Sequence, residues 1–246
     1  MHPRTRSPHL TRFLPALAVA ALVGALGAAC GDDPAGPVPF EKAAYMRSTV
    51  GAPWNQTTNE DAMDQAFGAG EWDDLRFETA DLDSLFVLYT FLFLEGSDDN
   101  ADEMEAFIAA NQTALEAFVQ SGRRVLINSA PNEGDGMSFG FGVDLIYEVF
   151  SDEVEAVNSS HPIFVATDST EFRGGSFGHA IVVGPNLTPI IQMLGQPDSV
   201  VLAERSFGAG RALFGGMTTD NYHDPQPEAH TLRINILRYA AGVPLP

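Results

Sequence analysis

The stretch Leu85-Phe86-Val87-Leu88-Tyr89-Thr90-Phe91-Leu92-Phe93-Leu94 is ten residues long, holds no charge, and has no glycine or proline to break it. A run of that kind needs cover on both faces, which an open α/β sheet supplies and a half-exposed antiparallel sheet does not. The segments around it fit that demand. Ala43 to Thr49 reads as a first strand and Leu75 to Thr79 as another. Between them Thr58 to Phe67 reads as a helix, with Thr58 as its cap and Glu60 and Asp61 in its first turn. After the apolar run, Met104, Phe107, Ile108, Leu115, Phe118 and Val119 recur at helical spacing, so Ser97 to Ser121 reads as a helix capped by Ser97 or Asp98 and stopped by Gly122. Val125 to Asn128 is the next strand. Strands alternating with helices predict an open, mostly parallel, flavodoxin-like sheet flanked by helices. Near the C-terminus Val200–Arg205 and Arg211–Met217 flank a Phe-Gly-Ala-Gly turn and predict an antiparallel hairpin, and Glu228 to Ala241 predicts a closing helix ending at Gly242.

The N-terminus belongs to a different physical problem. Arg4, Arg6 and Arg12 precede an almost wholly apolar stretch, Phe13 to Leu26, and Gly27-Ala28-Ala29-Cys30 follows. This order predicts a signal peptide over residues 1–29, and the small residues before a lone cysteine predict a bacterial lipobox with Cys30 as the lipidated residue. Two or more acyl chains on one residue anchor a protein durably, so the lipid bilayer is the expected partner of Cys30. The expected address is the cell envelope, with Gly31 after the cysteine favouring the outer membrane over the outer face of the inner one. Residues 30–42, containing Asp-Asp-Pro-Ala-Gly-Pro-Val-Pro, predict an acidic spacer, and residues 43–246 a single folded domain.

Charge narrows the possible partners. The chain has 13 Lys and Arg and 33 Asp and Glu; the leader takes three Arg and no acid with it, leaving 10 − 33 = −23. Such a surface repels phosphate backbones, which argues against nucleic acid as a partner, and repels anionic headgroups, which leaves membrane contact to the anchor. Cys30 is the sole cysteine, so the domain is built without a disulfide.

Loops beyond the carboxyl ends of parallel strands build the site in folds of this class. Four segments qualify: Gly51 to Asn55, Glu95 to Ser97, Asn128 to Gly136, and Thr218 to Glu228. Their side chains predict a ligand-binding set of Trp54, Asn55, Glu95, Asn128, Asn132, Asp220 and Tyr222, with Phe139 and Phe141 as further aromatics on the same face. The ligand class stays open between a small molecule, a glycan and a protein. His223 with Asp220 and Asp224 lacks the ligand count and spacing of a zinc site. The acids from Glu95 to Glu103 fit a helix N-terminus rather than a calcium loop. No metal or cofactor is therefore expected.

Two stretches, Gly-Arg-Arg-Val-Leu-Ile-Asn-Ser-Ala-Pro (122–131) and Gly-Ala-Gly-Arg-Ala-Leu-Phe-Gly-Gly-Met with Leu-Arg-Ile-Asn-Ile-Leu-Arg-Tyr-Ala-Ala-Gly (208–217 and 232–242), resemble the class I glutamine amidotransferase-like superfamily, and within it the ThuA-like branch. Catalytic members of that superfamily place a nucleophilic cysteine on the turn after a central strand and draw a histidine and a glutamate from later in the chain. The matching positions are Ser129, His223 and Glu228. Without a cysteine at Ser129 a glutaminase is excluded, because its nucleophile is the thiolate. Two alternatives remain: a degenerate domain that binds a ligand or partner without catalysis, and a serine hydrolase using Ser129, His223 and Glu228. The sharp turn of a nucleophile elbow needs small residues two places either side, where this chain has Ile127 and Pro131. A carbohydrate-processing accessory role is what the ThuA-like resemblance implies.

Overall fold

The computed structural model describes residues 36–134 and 136–246. The leader, Cys30 and the first part of the spacer lie outside the described residues, as does Asp135.

Twelve strands and four α-helices make up the described chain. They are β1 (Ala43–Arg47), α1 (Thr58–Phe67), β2 (Trp72–Arg76), α2 (Leu82–Leu88), β3 (Phe91–Glu95), α3 (Ala101–Gln120), β4 (Arg124–Asn128), β5 (Gly136–Ser138), β6 (Asp144–Ile146), β7 (Ser151–Ala156), β8 (Glu171–Gly178), β9 (Ile181–Val183), β10 (Thr188–Met193), β11 (Gln196–Phe207), β12 (Gly210–Gly215) and α4 (Gln226–Ala241). Among the described residues no helix is long and apolar enough to cross a membrane.

Nine strands form one sheet in the order β2-β1-β3-β4-β12-β11-β10-β7-β8, and β5-β6-β9 form a second, small antiparallel sheet. The first five strands of that order pair in parallel, which is the 2-1-3-4-5 order of doubly wound folds. The remaining four ladders are all antiparallel. The expectation of a mostly parallel, flavodoxin-like sheet is corrected accordingly: the fold is mixed α/β, and half its large sheet runs antiparallel. The cause lies in the connections. Parallel neighbours need a crossover of a dozen or more residues. From β5 to β12 no α-helix intervenes, so short links turn the chain back on itself. The expected hairpin is present as β11 and β12, joined through Phe207 and Gly210.

The ten-residue apolar run divides. Its first half is the end of α2 and its second half is β3. Asp81 accepts a hydrogen bond from the Asp83 amide, starting a helix that a continuous apolar pattern conceals. Leu85 is buried while Val87 and Leu88 are exposed, which is a helical rather than a strand-like division of faces. In β3 all five residues are buried, and successive side chains enter opposite cores. Phe91 and Phe93 pack with α1 and α4 residues Met63, Leu232 and Ile236; Leu92 and Leu94 pack with α3 residues Met104, Ile108 and Phe118.

Smaller boundaries move. α1 is preceded by Thr57, with no side-chain cap, and α3 begins after Asn100 rather than at Ser97 or Asp98. β2 starts at Trp72, three residues before the expected strand. The end of the expected spacer is held against the domain: the Val38 amide donates to the Gly122 carbonyl, and the Arg124 guanidinium donates to the Val38 carbonyl, each at 2.9 Å.

Candidate functional site

The carboxyl ends of β1, β3, β4 and β12 meet at one rim, and beneath it lies a buried polar layer. Glu95, the last residue of β3, is fully buried. Its carboxylate accepts from Asn59 at 3.2 Å, from Asn128 at 3.2 and 3.3 Å, and from the Ser97 amide at 3.0 Å, with the Ser97 hydroxyl also bonded to it. Burial pushes its protonation upward, opposed by the Arg233 guanidinium and these donors. Asn128 also clamps the next strand, donating to the Met217 carbonyl at 2.8 Å and accepting from the Met217 amide at 3.1 Å. Glu95 and Asn128, expected as ligand contacts, are instead the hydrogen-bonded floor, with no surface a ligand could touch.

Ser129 occupies the nucleophile position and is fully buried. Its hydroxyl donates to the Gly96 carbonyl at 2.7 Å, and its amide to the Gly215 carbonyl at 3.0 Å. The expected triad does not assemble. His223 Nε2 lies 2.7 Å from Thr218 Oγ1, and its ring stacks on Phe177 with centroids 4.0 Å apart. Burial, reinforced by Arg233, holds its imidazole well below the usual value and therefore neutral. Glu228 sits in the first turn of α4 and is hydrogen-bonded to neither. The resemblance implied that these three side chains come together; instead Ser129 is bonded to the Gly96 carbonyl and His223 to Thr218, and Glu228 is bonded to neither of them.

Above the floor, part of the expected binding set does converge. Trp54 and Asn55 follow β1 with φ of 50° and 55°, and Asp98 follows β3 with φ of 53°, all in the left-handed region that side chains disfavour. Asp98 Oδ2 accepts from the Trp54 amide at 2.8 Å, while its Oδ1 accepts from Asn132 at 2.7 Å. One carboxylate thus links the turns after β1, β3 and β4. The Trp54 ring meets Tyr222 and His179 edge-on, with centroids 6.1 Å away in each case. Trp54, Gly175, Ser176, His179, Thr218 and Tyr222 line a cleft of about 190 Å³. Asn55 is exposed beside it. Strained backbone concentrated around one cleft is a mark of functional sites.

Other expectations fall away here. Asp220 is buried, with its Oδ2 2.7 Å from His230 Nδ1, so it fixes the start of α4 rather than meeting a ligand. Phe139 and Phe141 are core residues packed on Phe214. His179, Asp98 and Thr218 were outside the expected set. His179 is positioned by its Nε2 contact with the Pro131 carbonyl at 2.9 Å and by the Tyr147 ring, 5.4 Å away and nearly coplanar. Thr218 opens one of the four rim segments, and Asp98, three residues past the apolar strand, was an acid indistinguishable from helix-start neighbours. A larger cleft of about 570 Å³ runs along β7 and β8 beside Glu153, Glu171, Arg173 and Asp224. It is walled mostly by the antiparallel extension, meeting the loop after β12 only at Asp224 and Pro225, and has mixed charge with its one aromatic residue, Phe172, buried in the core. Position and wall chemistry favour the smaller cleft.

No protein-family model matches the chain, and no curated protein matches it. Solved structures do. A putative GMP synthase component from Thermoplasma acidophilum superposes with a TM-score of 0.53 at 12% identity, covering 82% of this chain and 96% of that one. A cytoplasmic protein from Salmonella typhimurium gives 0.51 at 12% identity, covering 82% and 99%. A β-galactosidase from Bacillus circulans sp. alkalophilus gives 0.51 at 14% identity, covering 83% of this chain and 32% of the enzyme, so the chain spans about a third of that enzyme's length. At such identities the likeness concerns the fold alone, and it supports a glutamine amidotransferase-like fold for the described residues.

Proposed function

We propose that this chain is an envelope lipoprotein whose domain, a non-catalytic relative of the amidotransferase-like fold, binds a ring-shaped polar ligand of the saccharide class in the cleft walled by Trp54, Tyr222 and His179. The Trp54 side chain carries the reading. Its backbone is held in a disfavoured conformation by Asp98, which sets the indole on the rim between two other rings. Aromatic platforms with nearby hydroxyl and carbonyl groups suit sugar rings, which are apolar on their faces and polar at their edges. The sealed Ser129 hydroxyl and the separate bonding of His223 weigh against hydrolysis. Placement in the ThuA-like branch, and the lipid on Cys30, rest on sequence pattern.

A glycan array followed by calorimetry on the best hit tests the binding reading. Trp54→Ala is expected to weaken that hit by at least about tenfold, corresponding to the loss of roughly 1.4 kcal/mol of stacking. Absence of any hit, or a hit indifferent to Trp54→Ala, defeats the saccharide assignment.

A further inference from the structure

The cations of this acidic chain are not spread evenly. Of the ten Lys and Arg after the leader, five sit where the parallel strands begin. Lys42 precedes β1, Arg123 and Arg124 open β4, Arg211 pairs with Arg124 across the β4–β12 ladder, and Arg238 ends α4 beside Pro244. Arg205 lies one step further in on β11, opposite Ala212. Lys42 is neutralised by Asp73 at 2.6 Å and Arg211 by Glu204 at 3.3 Å. Arg123, Arg124, Arg205 and Arg238 have no acidic partner within 4 Å among the described residues. Burial, added to by Arg211 across the ladder, lowers the Arg124 guanidinium below its usual value. In a chain with a threefold excess of acid, four unpaired arginines at one edge constitute a marked polarity. Exposed Glu41 and Glu71 share the edge, so it is near neutral rather than basic, while the strong negative charge lies elsewhere.

Two independent features mark the same edge. The spacer joins the domain here, since Val38 is bonded to Gly122 and Arg124. Val38 comes only eight positions after Cys30, a reach of at most about 30 Å. Val87 and Leu88 also emerge here, at the end of α2. They are 72% and 56% exposed, and Thr90 just beyond them accepts from the Glu41 and Lys42 amides.

We infer that the domain stands on the bilayer by this edge, with Arg123, Arg124, Arg205 and Arg238 facing anionic lipid headgroups and Val87 and Leu88 entering the interface. The aromatic cleft, at the opposite ends of the same strands, then faces away from the membrane. This orientation rests on the proposed lipid at Cys30. It replaces the expectation from net charge that anionic headgroups repel the domain uniformly: the edge nearest the anchor is where acid does not predominate. Guanidinium groups near a negative surface are attracted over about a Debye length, and short apolar side chains add burial at the interface.

The test uses the full chain, processed in cells and reconstituted in vesicles. Mass spectrometry of the Cys30 peptide first reads the lipid itself. The body has no other cysteine, so Gln120→Cys on the proposed membrane edge and Asp99→Cys at the rim each accept a fluorescent probe at one place. Nitroxide-bearing lipids then report proximity. The Gln120 probe is expected to be quenched on phosphatidylcholine vesicles containing phosphatidylglycerol, with the effect reduced by about half in high salt, and the Asp99 probe to remain unquenched. The double variant Arg123→Gln, Arg238→Gln is expected to lose the dependence on phosphatidylglycerol while the chain stays vesicle-bound. A lipidated chain whose Gln120 probe is unquenched, is quenched equally without anionic lipid, or matches the Asp99 probe overturns the orientation and leaves the anchor standing. An unlipidated Cys30 overturns both.

Discussion

The Ser129 hydroxyl donates to the Gly96 carbonyl across 2.7 Å, sewing the turn after β4 to the turn after β3. A nucleophile has to present its oxygen to substrate with a base at hand; this oxygen is fully buried and already committed to backbone. Ser129→Ala should therefore behave as a structural lesion. Loss of one buried hydrogen bond costs about 1–2 kcal/mol, which lowers Tm by roughly 2–8 °C in a chain of this size. Thermal unfolding checks the shift. Incubation with a fluorophosphonate probe checks the chemistry, and the wild type is expected to show no adduct at Ser129. An adduct on wild type that Ser129→Ala abolishes would establish the hydrolase instead.

Asp98 is expected to matter more than its exposed neighbours. Its carboxylate accepts from the Trp54 amide and the Asn132 side chain, and its own amide donates to the Ala130 carbonyl at 2.8 Å. Hydrogen bonds to charged acceptors contribute about 1.5–3 kcal/mol. Without them the left-handed Trp54-Asn55 pair has little to hold it, since such conformations cost about 1 kcal/mol or more each. Asp98→Ala should release the loop. In a Trp72→Phe background, leaving Trp54 as the sole indole, emission is expected to shift to the red and quenching by acrylamide to rise. Asp99→Ala, the adjacent control, should leave both unchanged.

Much of the parallel half was legible because β1, β3 and β12 are each followed by a helix whose apolar residues recur at its own period. The recurrence from Met104 to Val119 located α3 and its end, though not its start, and Thr58–Phe67 gave α1 outright. The apolar run from Leu85 concealed the α2–β3 break, because helix and buried strand look alike over a few apolar residues; only Asp81 hinted at a helix start. The segment from Gly136 to Met193 was opaque for a different reason. Its strands are short, and pairing partners such as Glu155–Gln192 are set by long-range register rather than by local pattern. His179 belongs to that segment, which is why a wall of the cleft went unread. Trp54 and Tyr222 were found from topology. Glu95 and Asn128 were placed at the right strand ends but at the wrong depth, since spacing locates a side chain along the sheet and not its distance from solvent.

His223 and Glu95 share the buried layer and give stability opposite dependences on pH. Burial and Arg233 hold the His223 imidazole well below its usual value. The unfolded chain takes up that proton near pH 6.5 and the folded one refuses it. The stability contributed by His223 is thus present above about 6.5 and is lost as pH falls toward the depressed folded value, by up to about 1.4 kcal/mol per unit. Burial raises Glu95, so its contribution has the reverse sign: full below about 4.3, where the unfolded carboxyl titrates, and lost as pH rises through the elevated folded value. His161 and His179, also lowered by burial, act in the same direction as His223. Urea midpoints measured from pH 4 to 8 separate the two groups. His223→Gln should flatten the decline on acidification below about 6.5. Glu95→Gln should remove the decline on alkalinisation above about 4.3 while leaving the histidine limb intact. Parallel curves for wild type and Glu95→Gln would mean that the carboxyl titrates alike folded and unfolded, and that Arg233 with its neighbouring donors fully offsets the burial of its charge.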